Sequence, residues 1–235
     1  SFESEIVKYL DEKEKIVFDV GCYRGTFTKK LIQCGHKLGK KFNFFLFDPN
    51  PNVKNYLNIL LNSENIKYFD LALDNSNTKK KFYLNNFFEP SGSSLNTILK
   101  NDKIWNRTRR MVMLLLQPFK KIGNFSEIEV KTQTLDNFCH NEKIDFIDVL
   151  KIDSEGNELN ILKGAEKLLL KDKIYLIYTE ISENKKEFGK KENTVLNFLN
   201  SHNFELKKKN QIKSASFLSD IKATDNIFVN KNFSV

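Results

Sequence analysis

Only three cysteines, Cys22, Cys34 and Cys139, occur in 235 residues. Their number is odd and their spacing shows no metal pairing, which argues against a disulfide framework and fits a reducing compartment. Long apolar runs are also absent. The longest, Met111 to Leu116, falls far below the roughly 20 residues that a membrane-spanning helix needs. The opening "SFESEIVKYL" lacks the charged start, apolar stretch and small-residue cleavage site of a signal peptide; cytoplasmic placement is the expectation. The histidines, His36, His140 and His202, have no ligand spacing and read as surface or loop positions.

What is present is a globular composition, 40% hydrophobic and 29% charged, in a length that suits one domain over residues 1–235. The net charge of +8 and the pI of about 9.2 permit attraction to nucleic acid, anionic lipid or acidic substrates without choosing among them. Two runs, Lys79 to Lys81 and Lys207 to Lys209, read as solvated edges rather than recognition surfaces.

Periodicity gives the order of elements. "KIVFDV" (Lys15 to Val20) is an apolar strand ending at a glycine, and Phe27, Leu31 and Cys34 then follow at helical spacing. "FNFFLF" is a second strand, closed by "DPNP", and Val53, Leu57, Leu60 and Leu61 share one helical face. "IKYFDLAL" (Ile66 to Leu73) is a third strand. Turn residues Asn75 to Thr78 precede another short strand, so an added hairpin is expected here. After a long irregular middle come the strand Ile144 to Ile152, a helix striped by Leu159, Leu162, Ala165, Leu168 and Leu169, the strand Lys173 to Ile181, a helix in "NTVLNFLNSHNF", and two terminal strands. Apolar strands alternating with amphipathic helices predict an α/β fold with a mainly parallel sheet covered on both faces.

Ligands of such sheets bind beyond the carboxyl ends of the strands. Asp19, Asp48, Asp74, Asp153 and Glu180 all lie at or just past those ends. The first turn, "DVGCYRG", carries Gly21 and Gly25, and Tyr23 stands where a dinucleotide fingerprint would have its middle glycine. Asp48 follows Gly21 by 27 residues, a placement suited to the hydroxyls of a ribose. Together these point to a nucleoside ligand without a pyrophosphate.

The order "VFDVGCYRGTF", "FLFDPNP", "SGSSL", "VKTQTLDNF" and "LKIDSEGNELNILKGAEKLL" resembles the FkbM family of S-adenosylmethionine-dependent methyltransferases, within the class I superfamily, from about Ile16 to Val229. K-x-D-x-E-G-x-E is its most specific part. The resemblance implies a Rossmann-like, seven-stranded sheet whose last strand runs antiparallel, with S-adenosyl-L-methionine as cofactor. It implies that Asp19, Gly21, Tyr23 and Gly25 surround the cofactor's amino-acid end and that Asp48 holds its ribose. The family usually has glutamate at the Asp48 position. Asp74 lies near the adenine or only in a turn. In "SGSSL", Ser94 lines the pocket or belongs to a plain loop.

Asp153 falls at the end of the fourth strand of that sheet, where the reactive methyl belongs, so Asp153 and Glu155 are the catalytic candidates for base or acceptor alignment. Other readings stay open. Glu158 suits the first turn of the following helix, Lys151 suits an ion network with Asp153, and Asp153, Glu155 and Glu180 together suit a divalent cation. Residues 101–125 form an insertion with six Lys or Arg against one Asp between Asn101 and Lys121. It reads as a lid over the acceptor pocket, or as a basic helix at 104–121 resting on a membrane or an anionic polymer. The functional expectation is O-methylation of a hydroxyl on a small molecule or carbohydrate. The alternatives are a nucleic-acid-binding protein or RNA methyltransferase, and a cofactor-binding protein without activity. The Asn/Asp-Pro-Pro-aromatic turn common to base N-methylation is missing from the fourth strand.

Overall fold

The computed structural model describes residues 1–85, 93, 95, 125–184, 189–212 and 221–233. Its strands, in chain order, are β1 (Lys15–Val20), β2 (Phe42–Phe47), β3 (Ile66–Phe69), β4 (Ala72–Leu73), β5 (Thr78–Asn85), β6 (Phe125–Gln133), β7 (Ile147–Ile152), β8 (Ile174–Asn184), β9 (Phe204–Ile212) and β10 (Ile221–Asn230). The helices are α1 (Phe2–Lys8), α2 (Thr26–His36), α3 (Val53–Leu57), α4 (Leu135–Glu142), α5 (Glu158–Lys163), α6 (Glu166–Leu170) and α7 (Lys190–Asn200).

Seven strands form the main sheet in the order β3-β2-β1-β7-β8-β10-β9, and β10 alone runs against the others. The chain winds outward from β1 to β3, then restarts beside β1 with β7. The loops after β1 and β7 therefore leave in opposite directions and open a crevice between them.

Both faces of each central strand are buried, which is why these strands read as unbroken apolar runs. Phe18, Val20, Leu150 and Ile152 meet Leu135, Phe138, Ile161 and Leu199 of the α4–α7 side. Val17, Leu46, Val149 and Leu176 meet Ile6, Val7, Leu31 and Val53 of the α1–α3 side. Phe138 is the hub of the first face. Its ring stands edge-on to Phe18, Phe45, Phe47 and Phe69, at centroid distances of 4.8 to 6.4 Å.

Three features differ from the sequence expectation. The third strand divides: β3 stays in the main sheet, whereas β4 joins a second sheet of order β4-β6-β5. The strand after Asn75–Thr78 is present, but β4 and β5 flank β6 instead of pairing as a local hairpin. Ala72, Phe82 and Val130 form the small core of this sheet. The helix after β7 also breaks, into α5 and α6, at Gly164, where a Cβ would lie 2.1 Å from the Asp74 carbonyl oxygen. Asp136 starts the second piece: its carboxylate accepts the backbone N–H groups of Lys167 and Leu168, both at 3.0 Å. Thr134 caps α4 by accepting from Asn137 N–H at 3.2 Å, so "TLD" is a pair of helix caps. The expected lid or membrane-contact segment lies outside the described residues except for Phe125, which opens β6.

Phe138→Ala should lower the unfolding free energy by about 3–5 kcal/mol, read by urea denaturation. A loss below about 1 kcal/mol would mean that the four surrounding phenylalanines close the gap.

Candidate active site

The crevice is assembled by backbone contacts before any acid takes part. Past the Val20–Ile152 pairing of β1 and β7, Gly21 adopts φ +71°, and a Cβ there would sit 1.8 Å from the Asp153 carbonyl oxygen. Only glycine permits both. Gly21 N–H and Cys22 N–H donate to the Phe47 carbonyl at 2.9 and 3.2 Å, and Asp153 N–H donates to the Val20 carbonyl at 3.0 Å. The ends of β1, β2 and β7 are thus joined within one turn.

Lys151 sits beneath that turn, 5% exposed. Its ammonium donates to the carbonyls of Gly21 at 2.8 Å and Val20 at 3.2 Å, and pairs with Asp19 at 2.9 Å and Asp153 at 3.7 Å. Burial opposes the charge, but the two carboxylates outweigh it and hold the Lys151 pKa above its ordinary value. Asp19 has no exposed surface, and its second oxygen accepts from the Thr28 hydroxyl at 2.7 Å. Its carboxylate faces into the protein and supports the turn.

Asp48, at the end of β2, accepts Tyr23 N–H on one oxygen and Asn50 N–H on the other, each at 3.0 Å. Burial raises its pKa to about 6, against the pull of these two donors. Tyr23 reaches Asp48 in a left-handed conformation, φ 45°, so its backbone takes the part that a glycine would play. Its ring stacks edge-on to Tyr56, with the Arg24 guanidinium over both rings. Gly25 closes the turn, its N–H donating to the Cys22 carbonyl at 2.7 Å. It precedes α2 at φ +66°, and the atoms it makes room for belong to Leu57 and Leu60, which pack in the α1–α3 core.

A shallow cleft lies beside the turn, bordered by Gly21, Asp48, Phe82, Leu95, Asp153 and Asn157. Leu71 and Leu73 extend its apolar wall, and Ser93 reaches it; Ser94 lies outside the described residues. Asp74 borders an adjoining, more open groove with Lys80, Tyr83 and Asn160. Its buried carboxylate is ion-paired with Lys80 and accepts from Asn157 at 3.4 Å. Asn157 and Lys80 were not legible as site residues, because an asparagine before a helix reads as a cap and a lysine run as surface.

Beyond β7 the acids separate into two kinds. Glu158 is fully buried and structural: it accepts from Ser154 Oγ at 3.1 Å and Gly156 N–H at 2.7 Å and pairs with Lys191 at 2.6 Å. Asp153 keeps 37% of its side chain exposed and borders the cleft. Glu155, at φ 53°, has its pKa raised to about 8 by burial and by Asp153, and Glu180 is raised to about 9 by burial, Asp153 and Glu155. These three acids feel one another, yet among the described residues no group of three His, Cys, Asp or Glu side chains is arranged for a metal ion.

A mostly parallel sheet of this order, with a glycine turn after β1 and an acid after β2, defines a Rossmann-like fold of the class I methyltransferase type. Residues 19–206 match the family described as Methyltransferase FkbM domain. The chain belongs to this family of S-adenosylmethionine-dependent methyltransferases. It is 24% identical over 182 residues to 2-O-methyltransferase NoeI of Sinorhizobium fredii, covering 76% of this chain and 68% of that protein. Its fold is similar to the crystal structure of methyltransferase FkbM from Methylobacillus flagellatus KT, with a TM-score of 0.52 and 15% identity. That similarity covers 93% of this chain and only 45% of the solved one. No described helix is long and apolar enough to cross a membrane.

The raised acids make stability depend on pH. Glu155 and Glu180 have folded pKa values of about 8 and 9 against 4.5 ordinarily, so the folded protein holds protons that the unfolded chain has released. Stability is then fully present near pH 4.5 and is lost as pH rises toward 9. The thermal midpoint of the ligand-free protein should fall between pH 5 and pH 9, and Glu180→Gln should flatten the decline. Identical slopes in the two proteins would contradict this.

Proposed function

We propose that the chain transfers a methyl group from S-adenosylmethionine to a hydroxyl of a small molecule or sugar-containing acceptor. The observation that carries this reading is the Asp48 carboxylate, set in an apolar-walled cleft beside the Gly21 turn. Each Asp48 oxygen accepts one backbone N–H, and a carboxylate oxygen has room for a second donor. Asp48 thus suits the two hydroxyls of a ribose, with Phe47, Leu71, Leu73 and Phe82 offering apolar surface to a flat base. Gly21 and Ser154 border the same cleft and suit the amino-acid end. Asp74, tied to Lys80 and Asn157, marks the far edge.

The cofactor, when bound, supplies an already activated sulfonium methyl. The protein's task is to bring the acceptor oxygen into line, and orientation of this kind contributes about 7–11 kcal/mol. Asp153 is the acid best placed to align the hydroxyl and take its proton, because it is both exposed and at the cleft. Glu155 lies two residues further on, in the same turn. Oxygen as the methylated atom is supported by the relative named 2-O-methyltransferase.

Both lysine runs carry acidic partners, in keeping with solvated edges. Lys79, Lys80 and Lys81 pair with Glu129, Asp74 and Glu127, and Lys207, Lys208 and Lys209 pair with Glu205, Glu5 and Glu192. The second run lies on β9, an edge strand, where lysines discourage further strand pairing.

Asp48→Ala should weaken S-adenosylmethionine binding about tenfold or more in a calorimetric titration, as expected when a charged hydrogen-bond acceptor is lost. Asp153→Asn should leave that affinity within about threefold while lowering labelled-methyl transfer to hydroxylated acceptors by about 10²-fold or more. Equal loss of binding in both would remove the division of roles, and methyl label entering RNA instead would overturn the acceptor class. Wild-type affinity should also fall below about pH 6, where Asp48 takes up a proton.

A further inference from the structure

Resting on that reading, we propose that Lys151 is a positioning residue for methyl transfer, locking the cofactor turn after β1 to the end of β7 and presenting Asp153 to the cleft. Its Nζ is a side-chain group that touches both sides of the crevice. On one side it donates to the carbonyls of Val20 and Gly21, which fixes the backbone that must meet the cofactor's amino-acid end. On the other it lies 3.7 Å from the Asp153 carboxylate. That distance is too long for a strong hydrogen bond and short enough to orient and stabilise an anion. Asp19 completes the device from behind at 2.9 Å, and Thr28 of α2 holds Asp19 in place.

The arrangement excludes Lys151 as the base. Its side chain is 6% exposed, four oxygens lie within 3.7 Å of the nitrogen, and it remains an ammonium with no lone pair to offer. A purely structural ion pair is the competing account, and the molecule contains a control for it. Lys15, at the opposite end of β1, is equally enclosed, with its side chain 8% exposed, and pairs with Asp11 at 2.6 Å and Asp148 at 3.1 Å. Removing Lys151 leaves the buried Asp19 carboxylate without its cation, and removing Lys15 takes the cation from the part-buried Asp148 and the exposed Asp11; both changes destabilise the fold. Only Lys151 touches the cofactor turn.

The experiment compares wild type, Lys151→Met, Lys15→Met and the double variant Lys151→Met/Asp19→Asn, which leaves no buried charge unpaired if the single variant fails to fold. Each is titrated with S-adenosylmethionine by calorimetry, and the amide ¹H–¹⁵N signals of Gly21, Cys22, Asp153 and Ser154 are followed without ligand. The proposal expects the double variant to lose about tenfold or more in affinity and those four signals to shift, while Lys15→Met binds within about threefold of wild type despite a lower thermal midpoint. Unchanged affinity and unchanged signals in the double variant would overturn it, as would an equal affinity loss in Lys15→Met. If wild type itself fails to bind, the functional reading fails, whereas the ligand-free amide signals still decide whether Lys151 holds the two loops.

Discussion

The active end of this fold depends on one buried ion pair, Lys151 with Asp19. Desolvating two charges costs several kcal/mol per ion, and an apolar pair would stabilise the sheet at least as well. What the ion pair adds is direction. A lysine rising from β7 can reach two carbonyls at the end of β1, whereas a hydrocarbon side chain would offer them no donor and leave Val20 with the Asp153 N–H alone. The Gly21 turn and the Asp153 turn are thereby held at one separation, and the cleft between them takes its shape from that contact and from the absent Cβ of Gly21.

The same logic sorts the acids around the crevice. Asp19, Glu158 and Asp136 are spent on holding backbone and cations in place: a strand end, a tight turn and a helix start. Asp48 and Asp153 border the open cleft. Asp74 stands between the two groups, buried yet beside a groove and paired with Lys80 from the second sheet. Its contact with Asn157 ties the small β4-β6-β5 sheet to the edge of the crevice, so an addition to the core fold also becomes part of its wall.

Much of this was legible in the residues. Apolar strands ending in Gly21, Asp48 and Asp153 announced a parallel sheet and the side on which it binds, because a strand buried on both faces gathers most of its polar residues toward its ends. The match to residues 19–206 bears out the resemblance carried by "LKIDSEGNELNILKG". The direction of side chains was not legible. Asp19 and Asp48 both sit at strand ends, and only the position of Thr28 and Lys151 turns one inward while the other borders the cleft. The β6 strand escaped notice because Ile128 and Val130 alternate with charges. Its partner β5 begins some 50 residues earlier, and pairing at that distance leaves no local mark. The break at Gly164 reflects the close approach of the Asp74 carbonyl, a tertiary contact invisible to helical periodicity.

The measurement that tests the account most directly is a calorimetric titration of the folded wild-type protein with S-adenosylmethionine at pH 7.5, using NAD as the comparison ligand. The account predicts saturable binding of S-adenosylmethionine at micromolar concentration and none of NAD, since Tyr23 removes the glycine that a pyrophosphate would need. Binding of NAD, or of neither ligand, would contradict it and leave the Gly21 turn as architecture alone.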